Sequence, residues 1–263
     1  MIKFDLFPGG KKKALTMSYD DGTIFDRRLV KIFNKYGIKG TFHINSGLCG
    51  NKERKIQPEE MKELYSGHEV AVHGVEHHTL TKLPTQNMVQ EVLEDRRTLE
   101  KWVGYPVRGM SYANGAYNDE VCHALHSCGV AYSRTTKNTN SWKLPDDFLK
   151  WHPTCHHKDA MAQAERFLNW TYQAGYLLYI WGHSYEFDND NNWDMMEEVC
   201  KLLGNRDDIW YATNIEIYDY VTALKNLIIS VDNDIITNPS AIDVWVNRDG
   251  EAVEIKKGQT LRF

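Results

Sequence analysis

The chain has 263 residues, enough for one large domain or two small ones, and its 42% hydrophobic and 25% charged residues are ordinary for a globular protein. Its 36 acidic and 31 basic residues give a formal net charge of −5. No strong positive field therefore exists to attract nucleic acid or anionic lipid. We expect neither a nucleic-acid partner nor a membrane partner.

Cysteine use and the first residues bear on the compartment. The five cysteines are an odd number without a CxxC pair, which argues against a disulfide framework and favours a reducing environment. The first stretch, MIKFDLFPGGKKK, lacks the apolar core of a signal peptide, and no stretch has the roughly 18 apolar residues of a membrane helix. We expect a cytoplasmic protein, with a homo-oligomer left open.

Strand and helix patterns alternate along most of the chain. In chain order the predicted elements are strand ALTMSY, helix FDRRLVKIFNKYG, strand GTFHIN, helix PEEMKELYSG, strand HEVAVH, a helix from Thr85 to Val103, strand VRGMSY, helix NDEVCHALHSCG, strand GVAYSR, helix DAMAQAERFLNWTYQAG, strand YLLYIWGH, helix NNWDMMEEVCKLLG, strand DIWYAT and helix NIEIYDYVTALKNL. Between GVAYSR and DAMAQ, residues 135–158 are predicted to be a long functional loop. About seven strand–helix units imply an α/β fold with parallel strands, as a closed or nearly closed barrel or as an open doubly wound sheet.

The C-terminal residues depart from this α/β pattern. IISVDND and AIDVWVNRDGEAVEIKKG are typical of short β-strands, and Asp249-Gly250 between two apolar runs is a strong hairpin signal. We predict an α/β domain over residues 1–226 and a small β extension over residues 227–263 that packs on it.

Polar residues collect where the predicted strands end. Asp20 and Asp21 end the first strand, His73 ends the third, and His183 ends the very apolar strand YLLYIWGH. The active groups of parallel α/β folds cluster at the C-terminal ends of their strands, so we expect these side chains to lie together. His183, which alone would more often be a hydrogen-bonded core histidine, becomes a candidate acid.

The spacing of His73 and His77 adds a possible cation site. HxxxH lets two imidazoles reach one ion on a helical turn, although 11 histidines can produce the spacing by chance, and Asp-Asp-Gly is often only a turn. Together, two histidines and one carboxylate leave open positions for water and substrate, which is the form of a catalytic zinc site. One aspartate can then bind the ion while the other stays free as a base.

This ordered series resembles the polysaccharide deacetylase family, the NodB-homology domain of carbohydrate esterase family 4. Its motifs correspond to SYDDG at residues 18–22, HGVEH at residues 73–77, SYANGAYND at residues 111–119 and WGH at residues 181–183. The match extends over roughly residues 12 to 222. The resemblance implies an incomplete or distorted (β/α)7 barrel, with the small β appendage at its C-terminus.

The resemblance also implies an activity and roles for residues. The reaction would be hydrolysis of an N-acetyl or O-acetyl group on a sugar or polysaccharide, with one divalent ion, Zn²⁺ being favoured over Co²⁺, Ni²⁺ or Mn²⁺. Asp20 would be the general base and His183 the general acid. The metal ligands would be Asp21, His73 and His77. Contacts with the acetylated saccharide are expected from Tyr112, Asn114, Arg108, Trp142 and Trp181.

Two departures from the family pattern leave alternatives open. The proline of the third motif is Ala113 and its arginine aligns with Ser111, while the Asp-Trp pair of the fourth motif is reduced to Ser141-Trp142. The alternatives are a related-barrel hydrolase of a cyclic amide or imide and a non-catalytic carbohydrate-binding barrel. HPTCHH at residues 152–157 could form a second metal cluster, but its spacing is not a standard zinc pattern, and a polar loop is favoured.

Overall fold

A parallel β-sheet lies at the centre of the protein in a computed structural model that describes residues 1–171 and 174–263. The strands are β1 (Ile2–Lys3), β2 (Lys13–Asp20), β3 (Gly40–Ile44), β4 (Glu69–Val72), β5 (Gly109–Ser111), β6 (Tyr132–Arg134), β7 (Cys155–His156), β8 (Tyr176–His183), β9 (Ile209–Tyr211), β10 (Ile228–Ile229), β11 (Ile235–Thr237), β12 (Val244–Arg248), β13 (Glu251–Ile255) and β14 (Thr260–Arg262). The helices are α1 (Asp26–Lys35), α2 (Pro58–Leu64), α3 (Thr85–Val103), α4 (Asp119–Ser127), α5 (Ala160–Asn169), α6 (Ser184–Asn189), α7 (Trp193–Leu203) and α8 (Asn214–Lys225).

The central strands follow the order β6-β5-β4-β3-β2-β8-β7, and every pairing between them is parallel. The longest ladder joins β2 to β8 over eight residues, from Lys13 opposite Tyr176 to Asp20 opposite His183. Both strands are almost entirely buried because helices cover the sheet, which is why they read as continuous apolar runs. The ladder also brings Asp20 and His183 side by side at its C-terminal end.

The two edges of this sheet meet through residues 151–156. The N–H of Trp151 donates to the Ser133 carbonyl at 3.1 Å, and the Trp151 carbonyl accepts from Thr135 N–H at 2.9 Å. A few residues later, β7 pairs with β8. The ring is therefore closed by short contacts, which confirms the predicted α/β fold of an incomplete (β/α)7 barrel.

Two elements differ from the predicted series. DIWYAT forms β9, but among the described residues β9 pairs only with residues 13–15 of β2. Residues 17–20 of β2 pair with β3 along the same edge. The seventh position in the ring is taken by β7, inside the segment predicted as loop. A strand of two residues carries no periodic signal, so the sequence could not indicate it.

The helices end where the local sequence permits. Helix α3 stops at Gly104, whose φ of 84° is left-handed, and α8 starts with a capping box between Thr213 and Glu216. Helix α5 ends at Asn169, so the predicted helix was too long, and its continuation over Tyr172 and Gln173 lies outside the described residues. Within residues 1–171 and 174–263, no helix has both the length and the apolar character needed to cross a bilayer.

The C-terminal residues form two small antiparallel sheets. The predicted hairpin is present, since β12 and β13 join through Asp249 and Gly250, both with positive φ. The N-terminal strand β1 pairs with β12, so residues 2–3 belong to this sheet as well. Buried Val244 and Ile255 pack in one cluster with Tyr220 of α8. The division into residues 1–226 and 227–263 stays a prediction.

Candidate functional site

Asp20 is buried at the C-terminal end of β2 and is held from several sides. Arg134, at the end of β6, forms an ion pair with Oδ2 of Asp20. Ser111 Oγ donates to the other carboxylate oxygen at 3.1 Å, and His43 Nδ1 lies 3.1 Å from that oxygen. Burial alone would raise the pKa of Asp20, but the Arg134 guanidinium and two neighbouring imidazoles hold it well below its usual range. Asp20 is thus an ionised carboxylate in a fixed orientation.

Asp21, His73 and His77 point their ligand atoms at one another. Asp21 Oδ1 lies 3.7 Å from His73 Nε2 and 3.8 Å from His77 Nε2. All three ligand atoms lie within 4.8 Å of one another. Asp21 and His77 have left-handed backbones, with φ of 78° and 58°, a conformation that is rare outside glycine and that turns both side chains towards this point.

The donor set fits a divalent ion. His73 Nδ1 lies 2.7 Å from Ser111 Oγ and 3.0 Å from the Ser111 carbonyl, which satisfies a proton on Nδ1 and leaves the Nε2 lone pair facing Asp21. Burial lowers the pKa of His73 to about 4, so its ring is neutral, the form that binds metal. Two imidazole nitrogens and one carboxylate oxygen are the three protein ligands of a catalytic zinc site.

Asp95 of α3 fixes the backbone that carries His73. Its Oδ2 accepts from the His73 N–H at 3.0 Å, and its Oδ1 accepts from the Ser46 N–H at 2.8 Å. Burial raises the pKa of Asp95 to about 7, against the opposing effect of these hydrogen bonds. Sequence analysis missed this residue, although it shares the apolar face of its helix with Val92 and Leu99, where an acid is unexpected.

His183 lies beside Asp20 and reaches towards the surface. Its Nδ1 is 3.5 Å from Glu186 Oε2, and its side chain is 22% exposed. Burial would lower the pKa of His183, but Glu186 and the two aspartates raise it above its ordinary value. A cavity of about 440 Å³ opens beside Asp21; its lining includes Thr23, Phe25, Arg54, Lys55 and Tyr185.

Glu186 of α6 joins a second group of imidazoles. Its Oε2 lies 3.0 Å from His156 Nε2 and 3.4 Å from His157 Nε2. Burial would raise the pKa of Glu186, but the histidines around it hold the pKa below its usual range. Glu186 therefore lies next to His183 as a carboxylate.

Of the predicted saccharide contacts, three lie at this end of the barrel, namely Trp181, Asn114 and Tyr112. The Trp181 ring lies under the Arg134 guanidinium, 4.5 Å from its centroid, and its Nε1–H donates to Asn138 at 2.8 Å. Asn114 follows β5 on an exposed turn and donates to Thr79 Oγ1 at 2.9 Å. Tyr112 is buried, and its hydroxyl donates to the Leu149 carbonyl at 2.7 Å, so the ring supports the loops below the surface.

The structure does not bring Arg108 or Trp142 to the site. Arg108 precedes β5, at the opposite end from Ser111, and pairs with Asp219 of α8 at 2.6 Å. The Trp142 carbonyl accepts from Leu177 N–H near the start of β8, and six strand residues, or about 20 Å, separate Leu177 from His183. Both side chains therefore lie away from Asp20 and the ligand cluster, and their contact with the saccharide stays a prediction that this geometry does not support.

Sequence analysis missed Arg134, Glu186 and His43. Arg134 had a usable signal, since it ends the apolar strand GVAYSR as His183 ends YLLYIWGH. Glu186 had no usable sequence signal. It lies on the six-residue helix α6, and its role depends on contacts with residues 156–157, which are remote in sequence. In the sequence, His43 is an ordinary polar residue of a strand, and its contact with Asp20 is visible only in the folded barrel.

Comparisons with known proteins agree with this geometry. Residues 8–133 match the family model described as "Polysaccharide deacetylase". The curated peptidoglycan-N-acetylglucosamine deacetylase PgdA of Listeria monocytogenes is 24% identical over 145 residues, which are 54% of this chain and 30% of the relative. The chain thus matches less than a third of that relative's length.

Solved structures share the fold. A protein described as a putative polysaccharide deacetylase from Mycobacterium smegmatis aligns with a TM-score of 0.64 at 16% identity, over 83% of this chain and 93% of its own. A family 4 acetyl xylan esterase from Clostridium thermocellum, solved with a cobalt ion, aligns with a TM-score of 0.54 at 14% identity, over 78% and 90% of the two chains. The range that the family model matches is a little under half of the chain, and it contains Asp20, Asp21, His73 and His77. The sequence similarity to polysaccharide deacetylases therefore covers the candidate base and the three candidate ligands, and the solved structures share the fold.

Proposed function

We propose that this protein is a metal-dependent hydrolase that removes acetyl groups from an N-acetylated or O-acetylated sugar or polysaccharide. The observation that carries the proposal is the position of three kinds of group at one end of the barrel. They are an ionised base, Asp20, a three-ligand cluster beside it, and His183 on the neighbouring strand.

In the proposed mechanism, a bound divalent ion and Asp20 activate the attacking water. A divalent ion held by Asp21, His73 and His77, with Zn²⁺ favoured over Co²⁺, Ni²⁺ or Mn²⁺, would polarise the acetyl carbonyl and lower the pKa of the attacking water towards ~7. Asp20, kept ionised by Arg134, accepts the proton that this water loses.

His183 supplies the proton that the departing group needs when the acyl C–N or C–O bond breaks. Its raised pKa keeps a useful share of the ring protonated near neutral pH. With Nδ1 facing Glu186, the ring leaves Nε2 for the substrate. The products are acetate and the free amine or alcohol of the sugar.

Two relatives support the choice of reaction class. PgdA is named as a deacetylase of peptidoglycan N-acetylglucosamine, and the Clostridium thermocellum protein as an acetyl xylan esterase with bound cobalt. The acetylated saccharide that this chain uses is therefore best sought among N-acetylglucosamine oligomers, peptidoglycan fragments and acetylated xylan.

The test measures acetate release from that panel with the Zn²⁺-loaded protein. Wild type should release acetate from at least one substrate. Asp21→Asn should reduce release to background, and His183→Gln should lower it by about 10²–10⁴-fold, the usual contribution of a general acid. Asp188→Asn, an exposed carboxylate on α6, is the matched control and should leave the rate unchanged.

Other outcomes point elsewhere. Saccharide binding without acetate from any substrate would favour the non-catalytic barrel, and turnover of a cyclic amide or imide would favour the related-barrel hydrolase. Full acetate release by an Asp21→Asn protein without bound metal would exclude the proposed mechanism.

A further inference from the structure

A second group of ligand atoms lies next to the proposed active site. Three imidazole nitrogens surround one carboxylate oxygen, Glu186 Oε2: His156 Nε2 at 3.0 Å, His157 Nε2 at 3.4 Å and His183 Nδ1 at 3.5 Å. The other oxygen, Oε1, faces the Lys158 ammonium at 3.9 Å. The two oxygens thus have separate surroundings, and only one faces nitrogen ligands.

Hydrogen bonds do not account for this group. In the part of the chain that the structure describes, both ring nitrogens of His157, Oε2 of Glu186 and Nδ1 of His183 are buried without a hydrogen-bond partner. His157 is completely buried. A buried polar atom without a partner costs free energy, so several such atoms converging on one point indicate something that satisfies them.

The ring of His157 cannot turn away to find another partner. It lies between Tyr19, with ring centroids 5.9 Å apart, and Phe187, with centroids 4.2 Å apart. It also rests on Gly182, where even a methyl group would come within 2.0 Å of Nδ1. A glycine in strand β8 therefore makes room for an imidazole whose Nε2 points at the carboxylate.

The three distances from the nitrogens to Glu186 Oε2 are close to those between ligand atoms around a metal ion. In a tetrahedral zinc site with ligands 2.0–2.1 Å from the ion, ligand atoms lie about 3.3 Å apart. A fully buried imidazole is neutral, which leaves a lone pair for an ion. We propose that His156, His157 and Glu186 form a second binding site for a transition-metal cation such as Zn²⁺, with His183 Nδ1 near its fourth corner.

A hydrogen-bonded cluster without an ion is the competing arrangement. The Lys158 N–H lies 3.4 Å from His156 Nδ1, which is compatible with a proton on His156 Nε2 that points at Glu186. That arrangement provides a partner for His156 but leaves both nitrogens of His157 unsatisfied. The cation satisfies His157 Nε2 and Glu186 Oε2 together, whereas His157 Nδ1 has no partner among the described residues in either arrangement.

The site would act on the barrel rather than on the substrate. His156 belongs to β7 and His157 follows it directly, while Glu186 lies on α6 after β8. An ion bound by all three would fasten the two-residue strand that closes the ring to the helix beside it. Because Glu186 also contacts His183, an ion bound here would change the surroundings of the proposed acid, but the test counts metal ions and does not use activity.

The experiment counts metal ions per chain after equilibration with Zn²⁺ and removal of free metal. Wild type should hold two ions, Asp21→Asn one, Glu186→Gln one, and the double variant none. Asp188→Asn, with the same charge change on the same helix, should hold two. The rise in Tm that Zn²⁺ gives to the Asp21→Asn protein should be absent from the double variant.

Circular dichroism shows whether each variant is folded, and His156→Gln replaces Glu186→Gln if the latter is not. In the Asp21→Asn protein, Co²⁺ should give the strong visible absorption of a tetrahedral site. The proposal is overturned if Asp21→Asn holds no ion, or if Glu186→Gln and His156→Gln each hold as many ions as wild type. Wild type could also hold a single ion that is retained in Asp21→Asn and lost in Glu186→Gln. That result would support the site at Glu186 and exclude the one at Asp21.

Discussion

Asp20 and Arg134 form an ion pair that is almost completely withdrawn from water, at 3% and 0% side-chain exposure. Such a pair costs much in desolvation, but removing one partner costs more, because the other charge stays buried without compensation. Family resemblance places the arginine in the third motif, where this chain has Ser111. In this chain the positive charge beside Asp20 comes from Arg134 on the neighbouring strand β6, although the arginine of the motif is missing.

Replacing Arg134 by Met should therefore destabilise the protein by about 3–5 kcal/mol at pH 7, measured by urea denaturation. The folded pKa of Asp20 is depressed, so its stabilising effect is present above the unfolded value of about 3.9 and is lost as pH falls through the folded pKa. The difference between variant and wild type should shrink below about pH 4.

Arg97→Met is the control, because Arg97 forms an exposed pair with Glu94 within α3 and should contribute little. The role given to Arg134 would be contradicted if the two substitutions lowered stability equally. It would also be contradicted if the stability difference between Arg134→Met and wild type did not depend on pH.

The proximity of Asp21, His73 and His77 could be predicted because the spacing of these residues is visible in the sequence. Asp21 follows Asp20, and His77 follows His73 by four residues. Arg134 and Glu186 are different, since each acquires its role from a strand or loop that is remote in sequence. A single sequence does not contain the register that joins them, and so the partners of the two catalytic candidates were left open.

At the scale of elements, α3 holds the loop that carries His73 and His77 in place. Asp95 receives two backbone N–H groups with its two carboxylate oxygens, one from His73 and one from Ser46. This links the loop after β4 to the loop after β3 through a helix that lies outside the barrel. Groups that support ligands in this way tune metal affinity without touching the ion.

Asp95→Asn should weaken metal binding by about 10–100-fold while the protein stays folded, because the amide can accept only one of the two hydrogen bonds. Isothermal titration with Zn²⁺ on Glu186→Gln, which keeps only the Asp21 cluster, measures this directly. Glu94→Gln is the matched control on the same helix and should bind as the parent does. Unchanged affinity in Asp95→Asn would show that the loop holds its shape without this contact.

The number of strand–helix units could be predicted, but not which strand fills each place in the ring. Long periodic segments such as Thr85–Val103 were located to the residue. The strand DIWYAT was found but lies off the ring, whereas β7 is too short to recognise. Strand order depends on hydrogen bonds between segments that are distant in sequence, and the local periodicity of a segment does not show which other segment it pairs with.

At the scale of the whole molecule, several buried carboxyl groups bind a proton near neutral pH. Burial raises the pKa of Glu69 to about 7, although the Tyr132 and Thr41 hydroxyls and the Ile215 N–H donate to it. Asp26 and Asp95 have values of about 7 for the same reason. Each binds a proton in the folded state that the unfolded chain releases, so global stability should fall as pH rises from about 4 to about 7.

Glu69→Gln should remove part of this dependence. The amide has one acceptor oxygen fewer at every pH, but the stability difference should shift in favour of the variant by about 1–3 kcal/mol between pH 4 and pH 7, because only wild-type Glu69 has a folded pKa above its unfolded value. Urea denaturation at a series of pH values gives the comparison, with exposed Glu63→Gln as the control. Parallel profiles for Glu69→Gln and wild type would contradict a raised pKa at Glu69.

The barrel as a whole was predicted by the motifs rather than by the alternation of elements. Alternating strands and helices left a barrel and an open sheet equally acceptable. The ordered motifs implied the barrel. In the structure, a few hydrogen bonds around Trp151 close the sheet and so distinguish the barrel from an open sheet.

Those few hydrogen bonds also give the ring an uneven resistance to opening. The ladder between β2 and β8 has eight matched residue pairs, whereas β6 meets residue 151 through a single bridge and β7 adds two pairs. Native-state exchange of amide hydrogens follows such differences in local stability. The backbone amides of residues 151, 152 and 154–156 should therefore exchange with solvent long before those of β2, so the segment that closes the barrel should open more readily than its central ladder.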